Sequence, residues 1–239
     1  MSGEPLLSVV IPAYNEAARL PRHIEHIRQH LRDRAHEVIV VDDGSRDDTA
    51  SVAESLGARV IRLNPNRGKG GAVKAGMLAA RGRYVLFTDA DESTPIGEVE
   101  KLLARLESGY DVAIGSRAVP GAEVKQPQAW YRALAGRLFG LAARALVVRG
   151  VHDTQCGFKL FRREVAHAVF PEVESSTAIF DIELLARLAQ RGYRVAEVPV
   201  QWVHDPDTRI PYNLRKAIRI WAELFRIKRR VGRRQKVRT

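Results

Sequence analysis

Short apolar segments rich in β-branched residues alternate with helical patterns through the first half of this chain. One of them, residues 38–41, reads Val-Ile-Val-Val, and a strand that is apolar on both faces is typical of a parallel sheet covered by helices on both sides. The predicted strands are residues 6–11, 37–42, 58–63, 84–88 and 111–115. The sequence therefore predicts an α/β fold with a mostly parallel central sheet, and ligands beyond the carboxyl ends of its strands.

The pattern changes after Gly115. In chain order, the second half predicts a mobile loop rich in Pro and Gly at 119–128, a long apolar helix at 130–148, a strand at 158–161, a helix at 181–190, a strand at 193–203 and a basic amphipathic helix from Leu214. No internal repeat or low-complexity linker separates these elements. The predicted elements therefore form one large domain with an amphipathic segment after it.

The net positive charge of the chain is concentrated in this last segment. Residues 209–239 contain 12 Lys or Arg and one acidic residue, and so carry the whole net charge of +11. Helical spacing places on one side of the segment Leu214, Ile218, Trp221, Leu224 and Phe225. A basic amphipathic segment on a neutral body predicts an anionic partner, either a membrane surface or nucleic acid.

Composition excludes several classes of protein. A hydrophobic content of 45% with 7% aromatic residues is that of an ordinary globular protein and not of a disordered one. The single cysteine, Cys156, excludes an internal disulfide framework and fits a reducing compartment. The first twelve residues lack the pattern of a secretory signal, and no uncharged apolar run reaches membrane-spanning length. We therefore expect a cytoplasmic protein.

Two of the predicted strands end in pairs of carboxylates. Asp42 and Asp43 end one strand, where adjacent carboxylates repel each other unless a cation or hydrogen-bond donors meet them. Asp89 and Asp91 follow the strand at 84–88, and residues i and i+2 project to the same side, where both can face one hard cation. An Asp-x-Asp alone is a weak signal, but its position after another acidic strand end predicts a divalent-metal site that binds a diphosphate.

A glycine-rich turn lies between these strand ends. Residues 64–71 read Asn-Pro-Asn-Arg-Gly-Lys-Gly-Gly and precede a helical pattern. Glycines permit close backbone approach, and Arg67 and Lys69 add positive charge, so the turn predicts a phosphate contact. Its spacing matches neither the nucleoside-triphosphate loop nor the dinucleotide fingerprint.

Four motifs, taken in order along the chain, resemble those of the family 2 glycosyltransferases, which have the GT-A fold. They are residues 10–16, 41–45, 66–70 and 89–91. The resemblance implies a nucleotide-sugar donor whose pocket is lined by Pro12, Tyr14, Glu16, Asp42 and Asp43. It also implies that the donor diphosphate and a divalent metal, Mg²⁺ or Mn²⁺, bind at Asp89, Ala90 and Asp91, with the two carboxylates as metal ligands and Lys69 nearby.

Motifs of the second half resemble those of the dolichyl-phosphate glucosyltransferases and their polyprenyl-phosphate relatives. They are residues 89–95, 115–117, 153–161 and 180–184. The resemblance implies an inverting enzyme that transfers a hexose, glucose from UDP-glucose, to a polyprenyl or dolichyl phosphate. Residues 1–208 then form the catalytic domain and residues 209–239 a membrane-interfacial segment. Many of these relatives carry transmembrane helices in place of such a segment, so we expect a peripheral protein on the inner face of the membrane.

An acceptor phosphate sets its own requirements. Its second pKa is about 6, so at neutral pH it is largely a nucleophilic dianion that needs cationic positioning and no strong base. Guanidinium groups suit this task, which makes Arg117 and Arg132 candidate catalytic residues beside Asp91. Asp153 is a fourth candidate: it orients the acceptor or the sugar, acts as a base toward an alcohol, or anchors the turn at 155–157. Glu183 is either a helix-start acid or a carboxylate of the site.

Two alternative functions use the same sequence features differently. A soluble sugar, a glycan or a small phosphorylated acid is an alternative acceptor, and the apolar helix at 130–148 and the basic segment favour the lipid over it. A nucleic-acid-binding or nucleotidyl-transferring protein is suggested by the pI of about 10.2. The positive charge avoids the half of the chain that carries the motifs, and no nucleic-acid-binding motif is present, so we predict no nucleic-acid partner.

Overall fold

The computed structural model describes residues 4–125, 130–203, 214–232 and 235–238, without the side chains of residues 130–135, 137 and 214–216. Its strands are β1 (Leu7–Ala13), β2 (His36–Asp42), β3 (Arg59–Arg62), β4 (Tyr84–Thr88), β5 (Val112–Ser116), β6 (Glu123–Lys125), β7 (Val148–Arg149), β8 (Phe158–Arg162), β9 (Val195–Pro199), β10 (Gln201–Val203) and β11 (Gln235–Lys236). Its helices are α1 (Leu20–Leu31), α2 (Thr49–Ser55), α3 (Gly68–Ala79), α4 (Val99–Glu107), α5 (Trp130–Leu146), α6 (Arg163–Val169), α7 (Phe180–Gln190) and α8 (Leu214–Val231). Two short 3-10 turns lie at Ile96–Glu98 and Phe170–Glu172.

Seven strands form the central sheet, in the order β3-β2-β1-β4-β8-β5-β9. The strand β8 runs antiparallel to both of its neighbours, and every other neighbouring pair in this sheet is parallel. The predicted α/β fold with a mostly parallel sheet is confirmed. The strand β4 has the predicted bounds, and the other four strands predicted in the first half begin and end within two residues of the prediction.

Helices cover both faces of the sheet, and alternate side chains of each strand enter two different cores. In β2, Val38 and Val40 pack with α1 and α4, whereas Ile39 and Val41 pack into the core on the opposite face. This second core receives side chains from α3, α6, α7 and α8. The continuous apolar run of β2 is therefore explained by burial on both faces.

The segment predicted as one strand at 193–203 is divided in the structure. Its first part, β9, pairs with β5 in the central sheet, while β10 pairs with β6 in a separate two-stranded sheet. Pro199 lies opposite Ser116 at the end of the β5–β9 pairing, where a residue without an N–H cannot extend the ladder. The strand β6 lies within the segment predicted as a mobile loop, and residues 126–129 of that segment lie outside the described ranges.

The C-terminal helix lies against the body of the protein. Leu224 and Ile227 of α8 are buried in the same core as the side chains of α7. The strand β11, which follows α8, pairs in parallel with β7. The apolar stripe predicted from the sequence is therefore divided, because Ile218, Trp221 and Phe225 remain 60%, 40% and 51% exposed. None of the described helices is long and apolar enough to cross a bilayer.

Candidate active site

The acidic strand ends predicted from the sequence lie at one edge of the sheet. The strand β1 is paired on one side with β2 and on the other with β4, all in the same direction. Ala13 is opposite Asp42, and the backbone N–H of Asp43 donates to Ala13 O at 2.9 Å. Because parallel strands end at the same edge, the turns after β1, β2 and β4 meet there.

The turn after β1 forms one wall of this edge. Tyr14 is 43% exposed, and Pro12 and Glu16 are partly buried. Asn15 adopts a left-handed conformation with φ 56°, and its N–H donates to Ser45 Oγ at 2.9 Å, which joins this turn to the one after β2. An exposed aromatic ring on a turn fixed in this way is suited to stacking against a nucleobase.

Asp42 and Asp43 are both buried, and hydrogen-bond donors meet each of them as the sequence required. The N–H of Ser45 donates to Asp42 Oδ1 at 3.0 Å. The N–H of Arg67 donates to Asp43 Oδ1 at 2.6 Å, which joins the glycine-rich turn to the edge of the sheet. Burial raises the pKa of Asp43 above its ordinary value even though backbone N–H groups stabilise the carboxylate.

The Asp-Ala-Asp turn is held by the strand next to it. The N–H of Asp89 donates to Gly157 O at 3.1 Å. A Cβ atom on Gly157 would lie 2.0 Å from Asp89 Oδ2, so only glycine leaves room for this carboxylate. Ala90 is buried beneath the turn, and Asp91 Oδ1 accepts a hydrogen bond from Ser93 N at 3.0 Å. Burial, and then the neighbouring Asp89 carboxylate, raise the pKa of Asp91.

The glycine-rich turn places Lys69 against the same carboxylates. Its Nζ lies 2.7 Å from Asp89 Oδ1. The helix α3 begins at Gly68, and a Cβ atom on Gly70 would lie 2.3 Å from Ser175 O, so glycine is needed for the close approach of this helix to the segment before α7. The predicted phosphate-binding turn is therefore beside the predicted metal ligands.

The residues of this turn fit a divalent metal that arrives with a diphosphate. Among the described residues, no group of three or more His, Cys, Asp or Glu side chains is arranged to hold a metal ion. A Mg²⁺ ion usually takes one or two protein carboxylates and completes its octahedron with phosphate oxygens and water. The carboxylates of Asp89 and Asp91 match that requirement. A bound cation would offset both the burial and the repulsion from Asp89 that raise the pKa of Asp91.

Arg117 and Asp153, both predicted to act on the acceptor side, form a direct pair. Arg117 Nε lies 2.7 Å from Asp153 Oδ2 and Nη2 lies 2.9 Å from Oδ1, and the guanidinium group lies 5.2 Å from the centre of the Trp202 ring. Asp153 Oδ1 also accepts from Gln155 N at 3.1 Å, which is the anchoring contact considered from the sequence. Burial raises the pKa of Asp153, but Arg117 outweighs it and holds the pKa below its ordinary value. The side chain of Arg132 lies outside the described part of α5.

Residues 8–170 of this chain match the family model described as Glycosyl transferase family 2. The chain belongs to glycosyl transferase family 2. The dolichyl-phosphate beta-glucosyltransferase of Dictyostelium discoideum is 34% identical over 242 residues, which cover 93% of this chain and 73% of that protein. The human protein of the same name is 39% identical over 216 residues, which cover 82% of this chain and 67% of that protein.

Solved structures show the same fold. Glucosyl-3-phosphoglycerate synthase from Mycobacterium tuberculosis, in complex with Mn²⁺ and UDP-glucose, has a TM-score of 0.70 at 24% identity, covering 95% of this chain and 79% of that one. The mannosyltransferase PcManGT from Pyrobaculum calidifontis, in complex with GDP-Man and Mn²⁺, has a TM-score of 0.59 at 22% identity, covering 87% of this chain and 59% of that one. At these identities the likeness shows the fold alone, which is the GT-A fold expected of this family 2 glycosyltransferase.

Two buried charged residues beside the site of this family 2 enzyme, Lys159 and Asp181, were not predicted from the sequence. Lys159 of β8 lies opposite Phe87 of β4, and its Nζ lies 2.6 Å from Asp181 Oδ1. The two groups form an ion pair, but their geometry is not that of a hydrogen bond. Burial lowers the pKa of Lys69, but the charges of Asp89 and Asp181 outweigh it and raise the pKa overall. The lysine within the apolar strand Phe-Lys-Leu-Phe could have indicated a buried ion pair, because a buried ammonium group requires a partner.

Glu183 is also buried, within α7. Its Oε2 accepts a hydrogen bond from Ser175 N at 2.8 Å and lies 3.4 Å from Arg230 Nη1 of α8. These contacts join the segment before α7 to the C-terminal helix. Glu183 therefore links two elements of the fold.

Proposed function

We propose that this family 2 glycosyltransferase transfers glucose from UDP-glucose to a polyprenyl or dolichyl phosphate, with inversion at the anomeric carbon. The observation that carries the proposal is the similarity, over most of the chain, to proteins named dolichyl-phosphate beta-glucosyltransferase. The edge of the sheet supports it, because Asp89, Asp91 and Lys69 are arranged there to receive a diphosphate and its metal.

In this proposal the donor lies along the carboxyl edge of the sheet. The uridine contacts Pro12, Tyr14, Glu16, Asp42 and Asp43, and the diphosphate lies toward the Asp-Ala-Asp turn and Lys69. Asp89 and Asp91 would hold a Mg²⁺ or Mn²⁺ ion, which would supply electrostatic stabilisation of the departing diphosphate. The ammonium group of Lys69 adds a charge-assisted contact to the same phosphates.

On the acceptor side, one oxygen of the lipid phosphate dianion forms a bond to the anomeric carbon as the bond from that carbon to the donor diphosphate breaks. UDP leaves with the electron pair, and no proton is transferred, since the attacking oxygen is already ionised. Arg117 and Arg132 position the phosphate through guanidinium hydrogen bonds. Asp153 fixes the orientation of the Arg117 fork, because it accepts from both Nε and Nη2.

We also propose that the enzyme is peripheral on the inner face of the membrane, held by its C-terminal segment. Ile218, Trp221 and Phe225 are exposed on α8, and the Trp221 ring contacts Phe139 of α5 at 5.5 Å between ring centres. Exposed arginines, including Arg219 and Arg226, surround this apolar surface. Such a surface inserts shallowly and is attracted to anionic lipids, where each basic residue contributes about 1 kcal/mol.

Radiolabelled nucleotide sugars test the proposal directly. The purified protein is incubated with Mn²⁺ or Mg²⁺, a panel of UDP- and GDP-sugars, and dolichyl phosphate, 3-phosphoglycerate or a free sugar as acceptor. Organic extraction then separates lipid products from water-soluble ones. We expect label in the organic phase from UDP-glucose and none with Asp91→Ala. Transfer to 3-phosphoglycerate or a free sugar without any lipid product would instead establish the soluble-acceptor alternative.

A further inference from the structure

Two lysine–aspartate pairs lie at the candidate metal site, and one of them includes the proposed metal ligand Asp89. Lys69 Nζ is 2.7 Å from Asp89 Oδ1, and Lys159 Nζ is 2.6 Å from Asp181 Oδ1. Both ammonium groups lie over the ring of Phe87, at 5.6 Å and 5.8 Å from its centre. The two pairs are therefore neighbours, because both lysines contact the same aromatic ring.

The fold fixes one of these pairs more firmly than the other. The side chains of Lys159 and Asp181 are 0% and 2% exposed, and Lys159 Nζ also donates to Cys156 O at 2.5 Å. The side chains of Lys69 and Asp89 are 32% and 29% exposed. The Lys159–Asp181 pair is thus buried and fixed by a further backbone contact, whereas the Lys69–Asp89 pair is partly open to solvent.

The position of Lys69 conflicts with that of a metal. Its ammonium group lies against Asp89 Oδ1, and the other carboxylate oxygen, Oδ2, faces Gly157. Two cations cannot lie against one carboxylate oxygen without strong repulsion, since like charges a few ångströms apart disfavour each other. Binding of a metal must therefore move the ammonium group.

Asp181 is suited to receive it. This carboxylate lies 2.6 Å from the ammonium group of Lys159, which is over the same Phe87 ring as the ammonium group of Lys69. It lies in the first turn of α7, and Lys159 holds it in place beside the same Phe87 ring. The displaced ammonium group would therefore move toward a second, fixed counterion without entering bulk water.

We propose that Lys69 and the divalent metal are alternative occupants of Asp89, and that Asp181, fixed by Lys159, is the counterion that retains Lys69 when the metal binds. This inference rests on the proposed metal site at Asp89 and Asp91. Lys69 then has two opposite effects: it weakens metal binding to the nucleotide-free enzyme and strengthens binding of the diphosphate that arrives with the metal. Asp181 and Lys159 are positioning residues that set how readily the exchange occurs.

Mn²⁺ binding without nucleotide tests the first part. Electron paramagnetic resonance measures free Mn²⁺ in titrations of wild type and Lys69→Met, and the affinity for UDP is measured separately in the presence of Mn²⁺. We expect Lys69→Met to bind Mn²⁺ about tenfold more tightly without nucleotide, since a competing charge is removed, and to bind UDP more weakly. The matched control is Lys101→Met, because Lys101 forms an equally short pair with Glu98 at 2.7 Å on the surface of the protein. We expect it to change neither affinity.

The second part is tested with Lys159→Met and Asp181→Asn introduced together. The double change removes both charges of the pair, so the net charge does not change. A single change would leave one charge buried without its partner and would strongly destabilise the fold. With Lys69 present we expect Mn²⁺ affinity without nucleotide to fall by about 10-fold or more, a typical effect of losing a supporting contact. When the same double change is made in the Lys69→Met variant we expect little change, because no ammonium group remains to be retained. A thermal unfolding scan of each variant verifies that it is folded.

The outcomes separate this inference from the proposed function. Loss of Mn²⁺ binding in Asp89→Ala together with unchanged Mn²⁺ affinity in Lys69→Met would overturn the exchange and leave the metal site intact. If the Lys159→Met and Asp181→Asn double change lowers Mn²⁺ affinity equally with and without Lys69, the role of Asp181 is overturned. Such an effect would be a general loss of structure, which does not depend on Lys69. Unchanged Mn²⁺ binding in Asp89→Ala would reject the metal site itself, and the inference with it.

Discussion

Arg117 and Asp153 form a two-point ion pair at the carboxyl edge of the sheet, with Nε–Oδ2 and Nη2–Oδ1 distances of 2.7 and 2.9 Å. The Asp153 side chain is 7% exposed, so the carboxylate depends on this arginine for compensation of its charge. The same pair fixes the direction in which the guanidinium group points. It therefore has consequences for stability and for the acceptor.

The first prediction concerns stability in acid. Arg117 holds the folded-state pKa of Asp153 below its ordinary value. The ionised carboxylate therefore stabilises the fold fully above the unfolded-state pKa of about 4. This stabilisation is lost as the pH falls through the lower folded-state pKa. We expect Asp153→Asn to lower the free energy of unfolding at pH 7 by about 1 to 3 kcal/mol, and the difference from wild type to shrink by pH 3. Urea unfolding at both pH values measures this, with the exposed Asp33→Asn as a control. A difference that is the same at both pH values would contradict the assignment.

The second prediction concerns the acceptor. Removing a charge-assisted phosphate contact costs about 1.5 to 3 kcal/mol, so we expect Arg117→Ala to raise the KM for dolichyl phosphate by about tenfold or more, and the KM for UDP-glucose far less. Arg132→Ala is expected to behave in the same way. Arg34→Ala is the control, because Arg34 makes a comparable two-point pair with Glu100, 2.9 Å at each contact, away from the site. A rise in the donor KM alone would assign Arg117 to the diphosphate.

The third prediction concerns the metal. We expect Asp91→Ala to abolish metal-dependent transfer while the protein stays folded, because Asp91 follows a strand at the open edge and is not part of the apolar core. Activity over a Mn²⁺ titration and thermal unfolding of the same samples measure the two effects. Equal activity and equal metal dependence in wild type and variant would remove Asp91 from the site.

The fourth prediction concerns Gly157. A Cβ atom there would lie 2.0 Å from Asp89 Oδ2, so Gly157→Ala must displace the carboxylate or the backbone that holds it. We expect a strong loss of Mn²⁺ affinity and of activity. Gly136→Ala is the matched control: nothing lies within 4 Å of its added Cβ atom, and alanine within a helix is more favourable by roughly 0.5 to 1 kcal/mol. Tight Mn²⁺ binding by Gly157→Ala would show that Asp89 is not a ligand.

The fifth prediction concerns the membrane. We expect Trp221→Glu with Phe225→Glu to reduce co-sedimentation with anionic vesicles at low salt, since both side chains are exposed beside basic residues. Leu78→Glu is the control, because Leu78 is a partly exposed apolar residue of α3. These variants are preferable to truncation after Pro211, which would remove Leu224 and Ile227 from the core. Unchanged vesicle binding would favour a soluble acceptor.

The sequence alone predicts which segments meet at the site. Residues 38–41 require burial on both faces, which dictates a sheet between two helical layers, and parallel strands end at a common edge. That rule predicts that Asp42, Asp89 and the glycine-rich turn lie close together. Local pattern was sufficient here because each feature is encoded by neighbouring residues.

The sequence does not predict the ion-pair partners of the charged side chains, because these depend on the packed fold. The reversed strand β8 places Lys159 opposite Phe87, and α7 then brings Asp181 to it, although no periodicity relates these residues. Likewise, the sequence does not indicate that Asp153 pairs with Arg117. A buried charge requires a counterion, but the sequence does not say which one, because ion pairing depends on distances between segments that only the packed fold defines.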